Sequence, residues 1–284
     1  MYALLIAGLY LSPAYSQSLK IVSYNVENLF HPSHDTVAGI EKDDLQWTPD
    51  GEKRWTFAKY NSKVENIARV LTNIGEWEGV DIIGLQEVEN VKCLKKLCYT
   101  LRKGEYDFVH YESPDRRGID VAFIYKKTLI DTISSRVLPV PLINQTTRDI
   151  LYVCANIDYK DTIHFFVCHL PSMRGGKKQS EWKRQQAKSV LQSGVDSVYA
   201  INPNANIIIM GDMNKEPEND INGMKNIMQS SHKTHFYKNI WSCLDQFYIS
   251  PNLENSVQAK VYNEQWLINN QYSDHLPIIL KFKY

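Results

Sequence analysis

Residues 19–30 read LKIVSYNVENLF, an apolar run that ends in polar residues, the pattern of a strand that starts in a core and leaves it. Outward from it, residues 62–74 place Val64, Ile67, Ala68 and Leu71 on one helical face, and DIIGLQEV from Asp81 reads as a second strand. The unit is strand, helix, strand. Residues 106–111, 118–125, 133–140, 149–157 and 162–168 follow as strands separated by short turns, a density that predicts antiparallel neighbours. A second cycle begins with a helix over 176–200, where Trp182, Gln186, Ser189 and Val190 give a partly apolar face continued by Val195 and Val198. The strand NIIIMGD, a short helix over 219–228, a strand over 243–249 and a closing strand over 276–282 complete the expectation. No linker rich in Pro, Gly or Ser separates the two cycles, so residues 17–284 are expected to form one domain. Two cycles of this kind predict an α/β fold with two packed sheets, mixed in direction but mainly antiparallel, and helices outside.

The 284 residues carry 32 Lys plus Arg against 32 Asp plus Glu, a formal net charge of zero. This excludes a tail-driven, histone-like binder of polyanions but leaves room for a cleft that concentrates charge locally. Residues 1–16, MYALLIAGLYLSPAYS, are uncharged, and the apolar run over 3–11 predicts a signal-peptide core removed after Ser16. Export to the periplasm or the medium is the expectation, without an integral membrane span and as a monomer. Of the five cysteines, Cys93 and Cys98 are spaced for a local disulfide in an oxidising compartment, whereas Cys154, Cys168 and Cys243 read as small core residues.

Polar clusters terminate the apolar strands: Asn25 with Glu27, Glu87 with Glu89, His169, Asp212 with Asn214, Asp245, and Asp274 with His275. Polar residues at strand ends are placed to converge on one cleft. A hard cation such as Mg²⁺, with Mn²⁺ or Ca²⁺ as alternatives, wants oxygen ligands, and Asn25, Glu87 and Asp274 supply them. Glu27 shares a side with Asn25 if the chain stays extended, because strand side chains repeat with period two. Asp245 is expected to orient the His275 imidazole, leaving His275 to deprotonate an attacking water that Asp212 and Asn214 position. His169 is expected to donate to a phosphate oxygen or to the leaving group. Arg117 and Arg174 are candidate substrate-binding cations, with Lys177, Lys178, Lys183 and Arg184 tuning approach. For Trp47, Trp55 and Trp182, a core or loop-anchoring role is favoured over one at the cleft.

In this order, SYNVENLF, LQEVEN, HLPS, GDMN, LDQFYIS and SDHLP resemble the motifs of the endonuclease/exonuclease/phosphatase superfamily. These are metal-dependent phosphoesterases related to pancreatic deoxyribonuclease and to abasic-site endonucleases. The resemblance spans residues 19–284 and looks like an exported bacterial branch. It implies a four-layered αββα sandwich and in-line hydrolysis of a phosphate ester by metal-assisted water. It places Asn25 and Glu87 at the metal, Glu27 at the nearby acidic position and His169 at the phosphate. It also makes Asp212 and Asn214 the catalytic pair, and Asp274 and His275 the closing motif with Asp245 behind. A phosphodiesterase or nuclease is the leading expectation; a phosphomonoesterase or phospholipid headgroup hydrolase on the same scaffold, or a non-catalytic binding module, are the alternatives. A long groove favours a nuclease, a pocket lined by Arg117 and the Arg174 loop favours a small ester, and an exposed apolar hairpin near the cleft favours a lipid surface.

Overall fold

The computed structural model describes residues 18–35, 42–158 and 160–283. The segment expected to be a signal peptide lies outside them. The order is β1 (Ser18–Leu29), α1 (Phe57–Gly75), β2 (Ile82–Val88), α2 (Val91–Leu101), β3 (Tyr106–His110), β4 (Asp120–Lys126), β5 (Ile130–Leu138), β6 (Ile150–Ile157) and β7 (Asp161–His169). Then come α3 (Lys177–Ile201), β8 (Asn206–Asp212), β9 (Lys225–Asn226), β10 (His235–Tyr237), β11 (Ile240–Ser242), β12 (Asp245–Ile249), β13 (Val257–Val261), α4 (Gln265–Asn270) and β14 (Ile278–Lys283).

Two six-stranded sheets run β13-β14-β1-β2-β4-β3 and β5-β6-β7-β8-β12-β9. Every pairing in them is antiparallel except β1 with β2 and β7 with β8. Three apolar layers hold the stack. Val64, Ile67 and Leu71 of α1 and Leu94 and Leu97 of α2 pack on Val22, Tyr24, Ile83 and Leu85 of the first sheet. Ile21, Ile82 and Phe123 meet Phe165, Ile208 and Phe247 between the sheets. Leu191, Val195 and Val198 of α3 cover Phe166, Ile207 and Ile209 of the second sheet. The result is the expected αββα sandwich.

Strand parity explains where the polar residues go. Leu19 and Ile21 face the second sheet, so Asn25 continues that face. Phe165 and Val167 lead in the same way to His169, Ile208 and Met210 lead to Asp212, and Phe247 and Ile249 are in phase with Asp245. Gly84 lies on this face too, and a Cβ there would sit 2.8 Å from Met210 Sδ, so a glycine lets the sheets close at that point.

Three expectations change. Cys93 and Cys98 are unpaired and buried, five residues apart on α2, where they point in different directions around the helix into the core. Residues 219–228 are not a helix: the Asn219 side chain accepts from Asn226 N at 2.8 Å, the Asn226 side chain accepts from Met228 N at 3.0 Å, and Gly223 has φ 74°. Side-chain bonds to the backbone and a left-handed glycine replace the helical ladder with turns and the short β9. Arg184 does not face the approach path; it is buried, donating to Pro171 O, Lys177 O and Ser180 Oγ. Cys168 and Cys243 are buried, as core residues should be, and burial pushes both thiols up, away from nucleophilic use.

Candidate active site

The two parallel pairs carry their polar ends to the same place. His169 and Asp212 are opposite each other in the β7/β8 register, and Asp245 pairs with Asp212 on the other side. Across the gap between the sheets, Asn25 Nδ2 donates to Asp212 Oδ2 at 3.2 Å and lies 3.5 Å from His275 Nε2. His169 Nε2 sits 3.5 Å from Asp212 Oδ2 and 3.8 Å from Glu87 Oε1. His275 Nδ1 is 2.7 Å from Asp245 Oδ2, the expected orienting contact. Asp212 Oδ1 accepts from Asn214 N at 2.8 Å, and Asn214 Nδ2 donates to Leu170 O at 2.9 Å, so Asn214 locks the turn after β8.

Glu87 and Glu27 reach the site by bends. Parity would turn Glu87 toward α1, but its φ of 66° and the register shift between Gln86 and Val88 re-aim it, with Oε2 accepting from Asn28 N at 2.9 Å. The period-two argument for Glu27 fails, because Glu27 and Asn28 adopt φ 52° and 59° and the chain is not extended there. Glu27 instead accepts from Asp274 N at 3.0 Å and so still borders the cluster.

Electrostatics follow from burial of like charges. Burial, together with Asp245 and Glu87, pushes Asp212 up to about 7 against the pull of His275. Burial and then Asp274 raise Glu27. For His275 burial disfavours charge, but Asp245, Asp212 and Asp274 outweigh it and hold the ring up at about 10. His169 goes the other way: burial, Arg148 and Arg117 drive it well below an ordinary histidine, which makes it a neutral donor. The cluster therefore crowds Glu27, Glu87, Asp212, Asp245 and Asp274 around one favoured imidazolium. That excess of acidic oxygen, with Asp212 and Asp245 buried and Glu27, Glu87 and Asp274 half-buried, is the environment a divalent cation neutralises, so the donor set fits Mg²⁺.

Sequence reasoning missed four residues. His235 packs tilted against His275 with ring centroids 4.5 Å apart, and His235, Asp274 and His275 bring ligand atoms within 4.8 Å of one another. Ser273 Oγ donates to Asn25 O at 2.7 Å and accepts from His275 N at 3.1 Å, tying β1 to the closing motif. Thr234 Oγ1 accepts from Leu244 N and Asp245 N. Arg148, buried, donates to Asp115 at 2.9 Å and to the carbonyls of His169 and Leu170 at 3.1 and 2.9 Å. Only Ser273 had a signal, its place in YSDH. A second set, His110, Glu112 and Asp120, is also compact, but Lys42 Nζ already binds its Glu112. Trp47 and Trp55 anchor the loop after β1: Trp47 stacks on Phe30 at 4.8 Å and Trp55 Nε1 donates to Phe30 O at 2.8 Å.

Residues 20–268 match the profile of the Endonuclease/Exonuclease/phosphatase family. The chain belongs to this family. Among solved structures, truncated Caenorhabditis elegans TDP2 superposes with a TM-score of 0.64 at 17% identity, covering 94% of this chain and 98% of that one. The human Nocturnin catalytic domain with bound sulfate anion gives 0.61 at 14%, covering 94% of each chain. ANGEL2, a 2',3'-cyclic phosphatase, gives 0.65 at 14%, covering 93% and 95%. Identities this low establish the shared fold. No curated protein matches the chain. As a member of the endonuclease/exonuclease/phosphatase family, it brings His235, Asp274 and His275 together in a cluster that could hold a divalent cation, of the kind that supports metal-dependent phosphoester chemistry. No helix among the described residues is long and apolar enough to cross a membrane.

Proposed function

We propose that the chain is a Mg²⁺-dependent phosphodiesterase for nucleotide-sized esters. The observation that carries this reading is a pair of cavities, each about 380 Å³, flanking the cluster. One, on the His169 side, is lined by Arg117, Arg148 and Arg174; the other, on the Asp274 side, by Phe236, Trp241 and Leu276. Room for a group on each side suits a phosphorus bearing two ester substituents, and pockets of this size suit a nucleotide better than a long duplex.

Glu87, Asn25, Asp274 and Glu27 would hold the cation. When bound, it supplies polarisation of a phosphoryl oxygen and neutralises charge on the leaving oxygen. Asn25 and Asn214 hold Asp212, whose Oδ2 lies 3.8 Å from His275 Nε2, close enough for the two charges to couple. Water attacks phosphorus in line and gives its proton to the Asp212 carboxylate beside the His275 imidazolium, while the P–O bond breaks with its electron pair going to the leaving oxygen, which then takes up a proton. Asp245 keeps the imidazole oriented, and neutral His169 donates to a phosphoryl oxygen. The uncharged N-terminal stretch supports export, which N-terminal sequencing of the mature protein tests.

A specific feature favours a second reading, a phospholipid headgroup hydrolase. The β10–β11 hairpin beside His275 exposes Tyr237 (57%) and Ile240 (68%). A substrate panel decides between them. The first reading expects bis(p-nitrophenyl) phosphate to be cleaved far faster than p-nitrophenyl phosphate, with Mg²⁺ required and sphingomyelin vesicles inert. Vesicle hydrolysis lost in a Tyr237→Ser, Ile240→Ser double variant favours the second, and preference for the monoester defeats the first.

A further inference from the structure

The cavity on the His169 side holds more positive charge than its own residues balance. Arg148 spends its donors on Asp115, His169 O and Leu170 O. Arg117 must share the same Asp115, with Nε 3.6 Å from Oδ1. Arg174 and Lys183 line the same space, and among the described residues neither has an ion-pair partner. Thr147 also lines it; this residue is 3% exposed, and its hydroxyl oxygen has no hydrogen-bond partner. An unpaired buried hydroxyl beside unpaired cations is a donor set that lacks an acceptor.

We propose that this cavity is a second phosphate subsite, which takes a phosphoryl group carried by the same nucleotide-sized ester whose diester is cleaved at the Asp212–His275 pair. The proposal rests on the phosphodiesterase reading above and adds the substrate class, a nucleotide with a second phosphate. A phosphate monoester brings several acceptor oxygens and close to two negative charges, which matches a guanidinium fork, an ammonium and a hydroxyl; an apolar group would leave all of them unpaired. The cavity is wired to the reaction centre, since Arg148 donates to the backbone carbonyl of His169 itself.

The test is calorimetric binding to the His275→Ala protein in Mg²⁺, comparing thymidine monophosphate with a thymidine bisphosphate that carries a phosphate on each deoxyribose hydroxyl. The bisphosphate is expected to bind at least about tenfold tighter. Arg174→Ala and Thr147→Val should each pull that ratio toward one, with circular dichroism unchanged. Equal affinities, or a ratio that survives both substitutions, overturn the subsite. Failure of the parent reading looks different: wild-type protein would then leave the p-nitrophenyl ester of thymidine monophosphate uncleaved while the binding preference persisted.

Discussion

The two parallel strand pairs end at the same cleft but end differently. β7 and β8 stay in register to their last residues, and His169, Asp212 and the neighbouring Asp245 are buried, continuing the apolar parity of the strands that carry them. β1 and β2 break register, and Glu27, Asn28 and Glu87 adopt positive φ, which leaves Glu27 and Glu87 partly exposed. Regular strand ends give fixed, desolvated groups with displaced proton affinities; bulged ends give carboxylates with room to receive an ion. We propose that the first end, with His275, handles protons and that the second binds the cation.

Substitutions at the two ends should therefore fail in different ways. The largest effect belongs to the regular end: Asp212→Asn or His275→Ala should cut kcat on bis(p-nitrophenyl) phosphate by about a thousandfold, and added Mg²⁺ should not rescue it. Gly211→Ala should destabilise the fold by about 3 kcal/mol in urea unfolding. Gly211 has φ 141°, and a Cβ there would lie 1.9 Å from Cys168 O, so the glycine of GDMN is required for β8 to lie against β7 before it presents Asp212. At the bulged end, Glu87→Gln should raise the half-saturating Mg²⁺ concentration by about tenfold or more, with kcat recovering as metal is added. If the Glu87 and His275 variants respond identically to metal, the division of labour is wrong. The smallest effect is expected at the tie between the ends: Ser273→Ala removes two hydrogen bonds and should cost about 1 to 2 kcal/mol of stability with a modest loss in kcat.

The same contrast explains what was legible in the sequence. At the regular end the alternation that buries Phe165, Ile208 and Phe247 also aims His169, Asp212 and Asp245, so hydrophobic pattern alone pointed at them. At the bulged end parity misleads: it supplies the wrong face for Glu87 and a false reason for Glu27, and their place in the polar clusters at strand ends, with the resemblance of LQEVEN and SYNVENLF to family motifs, pointed to them instead. α2 had a readable signal in Cys93, Leu94, Leu97 and Cys98 at helical spacing after the Asn90 cap, but the cysteine pair invited a disulfide instead. His235 and Arg148 lie on a two-stranded hairpin and in a loop, where no periodicity marks which side chain turns inward. Their roles arise from long-range contacts, His235 with His275 and Arg148 with Asp115 and His169, which local sequence does not encode.

The most direct measurement of the central claim is a Mg²⁺ titration of bis(p-nitrophenyl) phosphate hydrolysis after treatment with EDTA, run on the wild-type, Glu87→Gln and His275→Ala proteins. The account predicts that wild-type activity vanishes with EDTA and returns with Mg²⁺, that the Glu87→Gln curve shifts to higher metal, and that His275→Ala stays flat at every concentration. Activity that survives EDTA, or a His275→Ala curve that superimposes on the wild type, would contradict it.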